Sequence, residues 1–160
     1  MDKKILIAFF SWGGNTKSIA EKIRNLVGGD MFRIETVISY PKDYNEVAYG
    51  IGKKQYEQGI KPKLKNNGDI SRYDEIFLGT PVWWYGMAPA VKTFLSENNF
   101  EDKIILPFIT HGGGGKYTID DDILKFVNGA KVLEPLVIFE NGGDTAKQDV
   151  DNWLKSIKKS

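Results

Sequence analysis

The sequence predicts an open, doubly wound α/β domain, a parallel sheet with helices on both faces. Three observations predict it. Five short apolar runs recur along the 160 residues, and segments with helical spacing lie between them. Composition adds the third: 41% hydrophobic and 27% charged residues are those of an ordinary globule with one core. Strict alternation of strand and helix implies right-handed crossovers and a parallel sheet. The length fits one domain over residues 1–160.

The strand-like runs are Lys4 to Phe9, Met31 to Val37, Glu75 to Leu78, Lys103 to Ile109 and Lys131 to Phe139. They lack polar alternation, so each is expected to be buried on both faces. Ile19, Ala20, Ile23, Leu26 and Val27 form the first helical stripe, ended by Gly28-Gly29. Tyr44, Val47, Ala48 and Ile51 have helical spacing, weakened by Gly50, Gly52 and Gly59. Val91, Phe94 and Leu95 follow Pro89, which suits a first helical turn. Ile119, Ile123, Phe126 and Val127 make another stripe, closed by Asn128-Gly129. Val150, Trp153, Leu154 and Ile157 make the last, with Asp144 or Thr145 as its cap.

Charge and composition exclude several classes. The net charge is +1, with no long run of one sign, so general attraction to nucleic acid or to an anionic membrane is not indicated. The basic tail Lys155–Ser160 reads as a solvated helix end. With no cysteine, disulfides, thiolate nucleophiles and cysteine-ligated clusters are excluded. The apolar run at Ile5–Phe10 is too short to span a membrane and no cleavage site follows, so cytoplasmic residence is expected. Redox chemistry in such a chain needs an organic cofactor.

Ligands of these sheets bind beyond the carboxyl ends of the strands, which singles out three segments. After the first strand comes Ser11-Trp12-Gly13-Gly14-Asn15-Thr16, running straight into a helix. Its glycines let successive amides converge on an anion at a helix N-terminus. No cation precedes Lys17, and neither G-x-x-x-x-G-K-[ST] nor G-x-G-x-x-G is present. A retained phosphate held by neutral donors fits better than a triphosphate turned over with Mg²⁺; the plainer reading is a capped strand–helix turn. After the third strand, Gly79 to Pro89 reads as a loop carrying Thr80, Pro81, Val82, Trp83, Trp84, Tyr85 and Gly86. Three consecutive aromatics cannot all face the core, so at least one is expected beside a flat ligand. After the fourth strand, Thr110, His111 and the glycines Gly112 to Gly115 bring backbone close to whatever fills the cleft. Together the three segments describe a mononucleotide with an aromatic head.

These motifs resemble those of flavodoxins. Ser11–Thr16 is similar to their phosphate loop. Asp74–Trp84 and Pro107–Gly113 resemble the two flavin-flanking segments of a short flavodoxin-like bacterial family, and the resemblance covers essentially the whole chain. It implies a five-stranded parallel sheet of order 2-1-3-4-5 with FMN, held non-covalently, at the switch point. It also implies that Ser11, Gly13, Gly14, Asn15 and Thr16 hold the phosphate. Pro81, Val82, Trp83, Trp84 and Tyr85 would flank the ring, with Gly112 and Gly113 at its other edge. Trp12, Thr80, Gly86, Thr110 and His111 complete the candidate cofactor-binding set. Two departures stand out: the chain is near neutral where electron-carrier flavodoxins are acidic, and its second flavin segment lacks their tyrosine and acidic residues.

The resemblance implies an electron carrier serving partner proteins, a flavodoxin reductase and an unidentified acceptor. The alternative is a small FMN-dependent NAD(P)H:quinone-type oxidoreductase. A phospho-receiver module of the same fold needs carboxylates after strand one and an aspartate after strand three. Here those places hold Phe9-Phe10-Ser11 and Gly79-Thr80-Pro81, which excludes it. No catalytic residue or metal ligand stands out. His111 is the only histidine, a structural or flavin-adjacent residue of the type that changes charge near neutrality. Asp120-Asp121-Asp122 suits a helix N-terminus, and Arg24, Arg33 and Arg72 read as surface residues.

Overall fold

The computed structural model describes residues 3–158; Met1 and Asp2, and Lys159 and Ser160 of the basic tail, lie outside the described residues. Seven strands form one sheet: β1 (Ile5–Phe9), β2 (Asp30–Arg33), β3 (Glu75–Trp83), β4 (Gly86–Met87), β5 (Ile104–His111), β6 (Lys131–Val132) and β7 (Leu136–Phe139). The order is β2-β1-β3-β5-β6, with β7 also on β5 and β4 antiparallel to β3. The five-stranded expectation is thus corrected in number but kept in kind. Every pairing except β3 with β4 is parallel. Taking β6 and β7 as two parts of one edge, the parallel positions run 2-1-3-4-5.

Alternation along the central strands feeds two cores. Leu6, Ala8, Ile76 and Leu78 pack with Val91, Phe94 and Leu95 of α4 (Pro89–Ser96) and with Ile119 and Ile123 of α5 (Ile119–Leu124). Ile7, Phe9, Phe77 and Phe108 pack on the other face with α1 (Asn15–Val27) and α6 (Ala146–Lys158). From α1 come Ile19, Ala20 and Ile23, and from α6 come Val150, Trp153 and Leu154. Leu26, counted in the α1 stripe, lies at its exposed edge. Each fully buried aliphatic side chain contributes about 1.5–3 kcal/mol, so the sheet is a rigid frame for its loops.

Several expectations change. Neither edge strand is buried on both faces: β2 is half-exposed, and β7 alternates buried Leu136 and Ile138 with exposed Val137 and Phe139. β2 stops at Arg33, because Glu35 to Val37 leave the sheet to pair with Lys63 to Lys65. The last run is interrupted at Glu134-Pro135, where proline offers no N–H to the ladder and the Glu134 carbonyl accepts from Trp153 Nε1 at 2.9 Å. α6 is entered through a 3₁₀ turn at Gly143–Thr145, with Thr145 Oγ1 donating to Asp149 Oδ2. The expected helix near Tyr44 extends from α2 (Tyr44–Glu46) through a π-helical turn (Val47–Ile51) into α3 (Gly52–Gln58).

Candidate functional site

At the carboxyl end of β1, Phe10 N–H still donates to Gly79 O, and the chain then turns at Ser11. Ser11 Oγ accepts from the amides of Gly14 and Lys17, each at 3.2 Å. Gly14, at φ 98°, is the residue before α1 and has no side chain to cap it, so the buried Ser11 hydroxyl does this from three residues upstream. First-turn amides have no partner within a helix. Those of Asn15 and Thr16 are therefore left for an anion at the positive end of the α1 dipole.

Two further groups fix this segment. Thr16 Oγ1 and Thr110 Oγ1 lie 2.8 Å apart, both buried, tying α1 to β5. Their hydroxyls bond each other, so they brace the loop. Arg33 at the end of β2 donates from Nη2 to Ser11 O at 3.0 Å and has no ion pair among the described residues. It is a surface residue, as expected, but it supplies the fixed positive charge that Ser11–Thr16 lacks.

The segment after the third strand is a hairpin, not a loop. β3 continues through Trp83, and the chain reverses at Trp84 (φ 47°) and Tyr85 (φ 65°) into β4. Positive φ at both central residues is the twist that a two-residue hairpin needs. Thr80 Oγ1 accepts from Ala88 N–H and donates to Pro81 O, which holds the hairpin in place. Trp83 turns inward, edge-on to Phe10 and Tyr40 at 5.3 and 5.0 Å. Burial pushes the Tyr40 phenol up to about 12, against the lowering effect of its bond to Gln55.

Trp84 turns the other way, donating from Nε1 to Ala48 O inside the π-helical turn. That turn is closed by Gly52 N–H on Val47 O, and a Cβ at Gly52 would lie 2.5 Å from the same oxygen. The glycine that weakens the helix on paper is the residue that permits this turn. Tyr56 stacks on Trp84, and exposed Tyr85 meets Tyr117 edge-on at 5.2 Å. β5 likewise runs two residues beyond Ile109, so Thr110 and His111 are strand residues and the glycine run starts at Gly112.

A cleft of about 380 Å³ opens between these segments. Of the residues singled out in the sequence, Trp12, Val82, Trp83, Trp84, Tyr85, His111, Gly112 and Gly114 line it. Ser11 and Gly13 line an adjoining cavity of about 360 Å³ with Arg33, and Trp12 is the wall between the two. Gly14, Asn15, Thr16, Thr80, Pro81, Gly86, Thr110 and Gly113 line neither of these cavities. The sequence reading missed Tyr44, Val47, Ala48, Tyr49, Gly52 and Tyr117 in the cleft wall. Tyr49, off the apolar stripe of Tyr44, Val47, Ala48 and Ile51, was the available signal.

The family described as flavodoxin matches residues 4–157. No curated protein sequence matches. Among solved structures, a flavoprotein from Bacteroides eggerthii is 27% identical, covering 98% of this chain and 99% of its own, with a TM-score of 0.85. A flavoprotein from Lactobacillus acidophilus, determined in complex with FMN, is 24% identical over 96% and 99% of the two chains, with a TM-score of 0.72. Oxidised flavodoxin 2 from Bacillus cereus is 21% identical over 98% of each chain, with a TM-score of 0.63. With the family match running over nearly the whole chain, this protein belongs to the flavodoxin family.

Proposed function

We propose that this protein is a single-domain electron carrier holding one FMN non-covalently in the cleft. The observation that carries the reading is the pairing of an anion end with a flat, aromatic end on the two sides of Trp12. At one end are the start of α1 and the Ser11–Gly13 cavity that Arg33 lines; at the other is a slot walled by Trp12, Val82, Trp84, Tyr85 and the glycine run. The slot is within the size range of small-ligand pockets. Ser11, Gly13, Gly14, Asn15 and Thr16 would hold the phosphate, and Val82 to Tyr85 with Gly112 and Gly113 would flank the ring. FMN bound there supplies one- and two-electron transfer. The chain's own part is to orient the ring, exclude water from one side and leave its rim accessible. The FMN complex of the Lactobacillus acidophilus flavoprotein supports this assignment.

The purified protein is expected to be yellow and to release FMN on denaturation. Chromatography showing FAD, or no flavin after reconstitution, overturns the assignment. Cytoplasmic residence and service to a flavodoxin reductase and a separate acceptor belong to the same reading. No helix among the described residues is long and apolar enough to cross a membrane.

A second reading, a small NAD(P)H:quinone-type oxidoreductase, is favoured by the open rim of Tyr44, Tyr49, Tyr85 and Tyr117, all exposed. Such a rim suits a second planar molecule. Anaerobic titration with NADPH, first alone and then with an added reductase, separates the two. Reduction only with the reductase supports the carrier; rapid bleaching by NADPH alone with quinone turnover supports the enzyme.

A further inference from the structure

His111 closes β5, and its backbone is fixed by pairing with Phe139 and by the Glu140 N–H that donates to its carbonyl. Its ring does something the strand does not require. Nδ1 accepts from the amide of Gly113 at 3.0 Å and from that of Gly115 at 3.1 Å. Among the described residues, no other hydrogen bond is made by Gly112, Gly113, Gly114 or Gly115. Four successive glycines lose more conformational freedom on ordering than any other tetrapeptide. Gly113 and Gly115 also sit at φ 132° and 79°, outside the ordinary helix and strand regions. A single imidazole nitrogen therefore anchors a run with little else to order it, and Gly112 and Gly114 of that run line the cleft.

We propose that His111 is a positioning residue: its Nδ1 lone pair is the acceptor that organises Gly112–Gly115 as a cleft wall, and FMN affinity depends on it. The cofactor clause rests on the FMN reading above; the loop clause does not. A neutral imidazole has one donor and one acceptor nitrogen. An acceptor at Nδ1 puts the proton on Nε2, so the structure fixes the tautomer. A proton on Nδ1 would face two N–H donors and release both.

The side chains that substitute for this group are set by geometry. Asparagine carries Oδ1 at the same number of bonds from Cα as Nδ1, whereas glutamine places its oxygen one bond further and alanine has none. His111→Ala and His111→Gln are expected to weaken FMN binding about tenfold, the scale of one or two lost hydrogen bonds. His111→Asn should stay within about threefold of wild type on the same argument. A residue that merely fills space gives no such order.

The experiment combines fluorescence titration of the four apoproteins with FMN and ¹⁵N NMR of the labelled wild-type, His111→Ala and His111→Asn apoproteins. Support requires an Nε2–H tautomer, slow amide exchange at Gly113 and Gly115, faster exchange in His111→Ala, and recovery in His111→Asn. An Nδ1–H tautomer, unprotected Gly113 and Gly115 amides, or His111→Asn no better than His111→Ala overturns the proposal. If wild type binds no FMN, the cofactor reading falls, and tautomer and exchange alone decide the loop clause.

Discussion

The two ends of the cleft are held by different kinds of interaction. The phosphate end is one stretch of chain, Ser11 to Thr16, in which a hydroxyl caps amides three and six residues downstream. From elsewhere in the chain, Arg33 and Thr110 reach its backbone and hydroxyl, and Pro41 O accepts from Trp12 Nε1 at 2.8 Å. The ring end is assembled from the β3–β4 turn, the π-helical turn, the glycine run and Tyr117. It depends on aromatic edges and on one indole-to-carbonyl bond across 36 residues of sequence. A local device of this kind survives damage elsewhere, whereas an assembled one fails when any contributor moves. Comparing FMN with riboflavin, which lacks the phosphate, makes the difference measurable. Damage to the ring end should weaken both ligands equally, and damage to the phosphate end should weaken FMN alone.

The largest effect is expected where the two ends share a wall. Trp83 packs edge-on against Phe10, which leads into the phosphate loop, and against Tyr40. Trp83→Ala should cost about 2–4 kcal/mol of stability, somewhat below a fully buried tryptophan because this one is half-buried. Urea unfolding monitors it. A loss below about 1 kcal/mol would mean that the inner aromatic cluster can collapse around the cavity and that the ends are less coupled than they look.

Gly52→Ala attacks the ring end from a distance. The added methyl meets Val47 O, so the π-helical turn must open or tighten, and Ala48 O moves away from Trp84 Nε1. Overpacking of this kind costs about 1–3 kcal/mol. FMN and riboflavin affinities should fall by the same factor. A drop confined to FMN would show that the π-helical turn supports the phosphate end instead, and the comparison would break.

How much of this was legible in sequence follows the same division. The phosphate end could be read because glycine, hydroxyl and helix start are adjacent in the chain, and the periodic runs of α1, α4 and β1 gave the frame. The ring end could be read only in part. Three aromatics after β3 announced a special segment, but Trp83 is core wall, Trp84 a strut and Tyr85 exposed, a sorting made by the left-handed turn. The helix with Tyr44 and Tyr49 was weakened on paper by glycines, yet Gly52 makes its π-helical turn possible. Arg33 was set aside as a surface residue because parallel pairing of β2 with β1, which brings it to Ser11, is a tertiary fact.

Arg33→Met tests the opposite arm. Its guanidinium donates to Ser11 O and has no ion pair among the described residues, so its charge remains available to an anion in the loop. The variant should weaken FMN by about 1 kcal/mol and leave riboflavin unchanged, because a single exposed charge acts through solvent. The salt dependence of FMN binding should flatten with it. Equal losses for both ligands would assign Arg33 to bracing the loop through its hydrogen bond and not to charge.

The smallest effect is the one in which stability and binding move in opposite directions. Trp84 and Tyr85 both sit at positive φ, a region that costs an ordinary side chain about 1–2 kcal/mol and glycine nothing. The second central position of such a turn favours glycine, and here it is occupied by a tyrosine that is 58% exposed. Tyr85→Gly removes that strain and the edge-on contact with Tyr117, which at an exposed site is worth about 0.5 kcal/mol. Glycine also loses more conformational freedom on folding, about 0.5–1 kcal/mol. The balance therefore favours the variant only slightly, with an expected gain of about 0.5 kcal/mol or less in urea unfolding. Tyr85 also lines the cleft, so FMN and riboflavin should both bind about threefold more weakly, the loss of part of one aromatic contact. A strained residue kept for its position gives this pairing of gain and loss. If Tyr85→Gly were less stable and bound both ligands as tightly as wild type, the turn would be held by Tyr117, and the ring would lie against the glycine run alone.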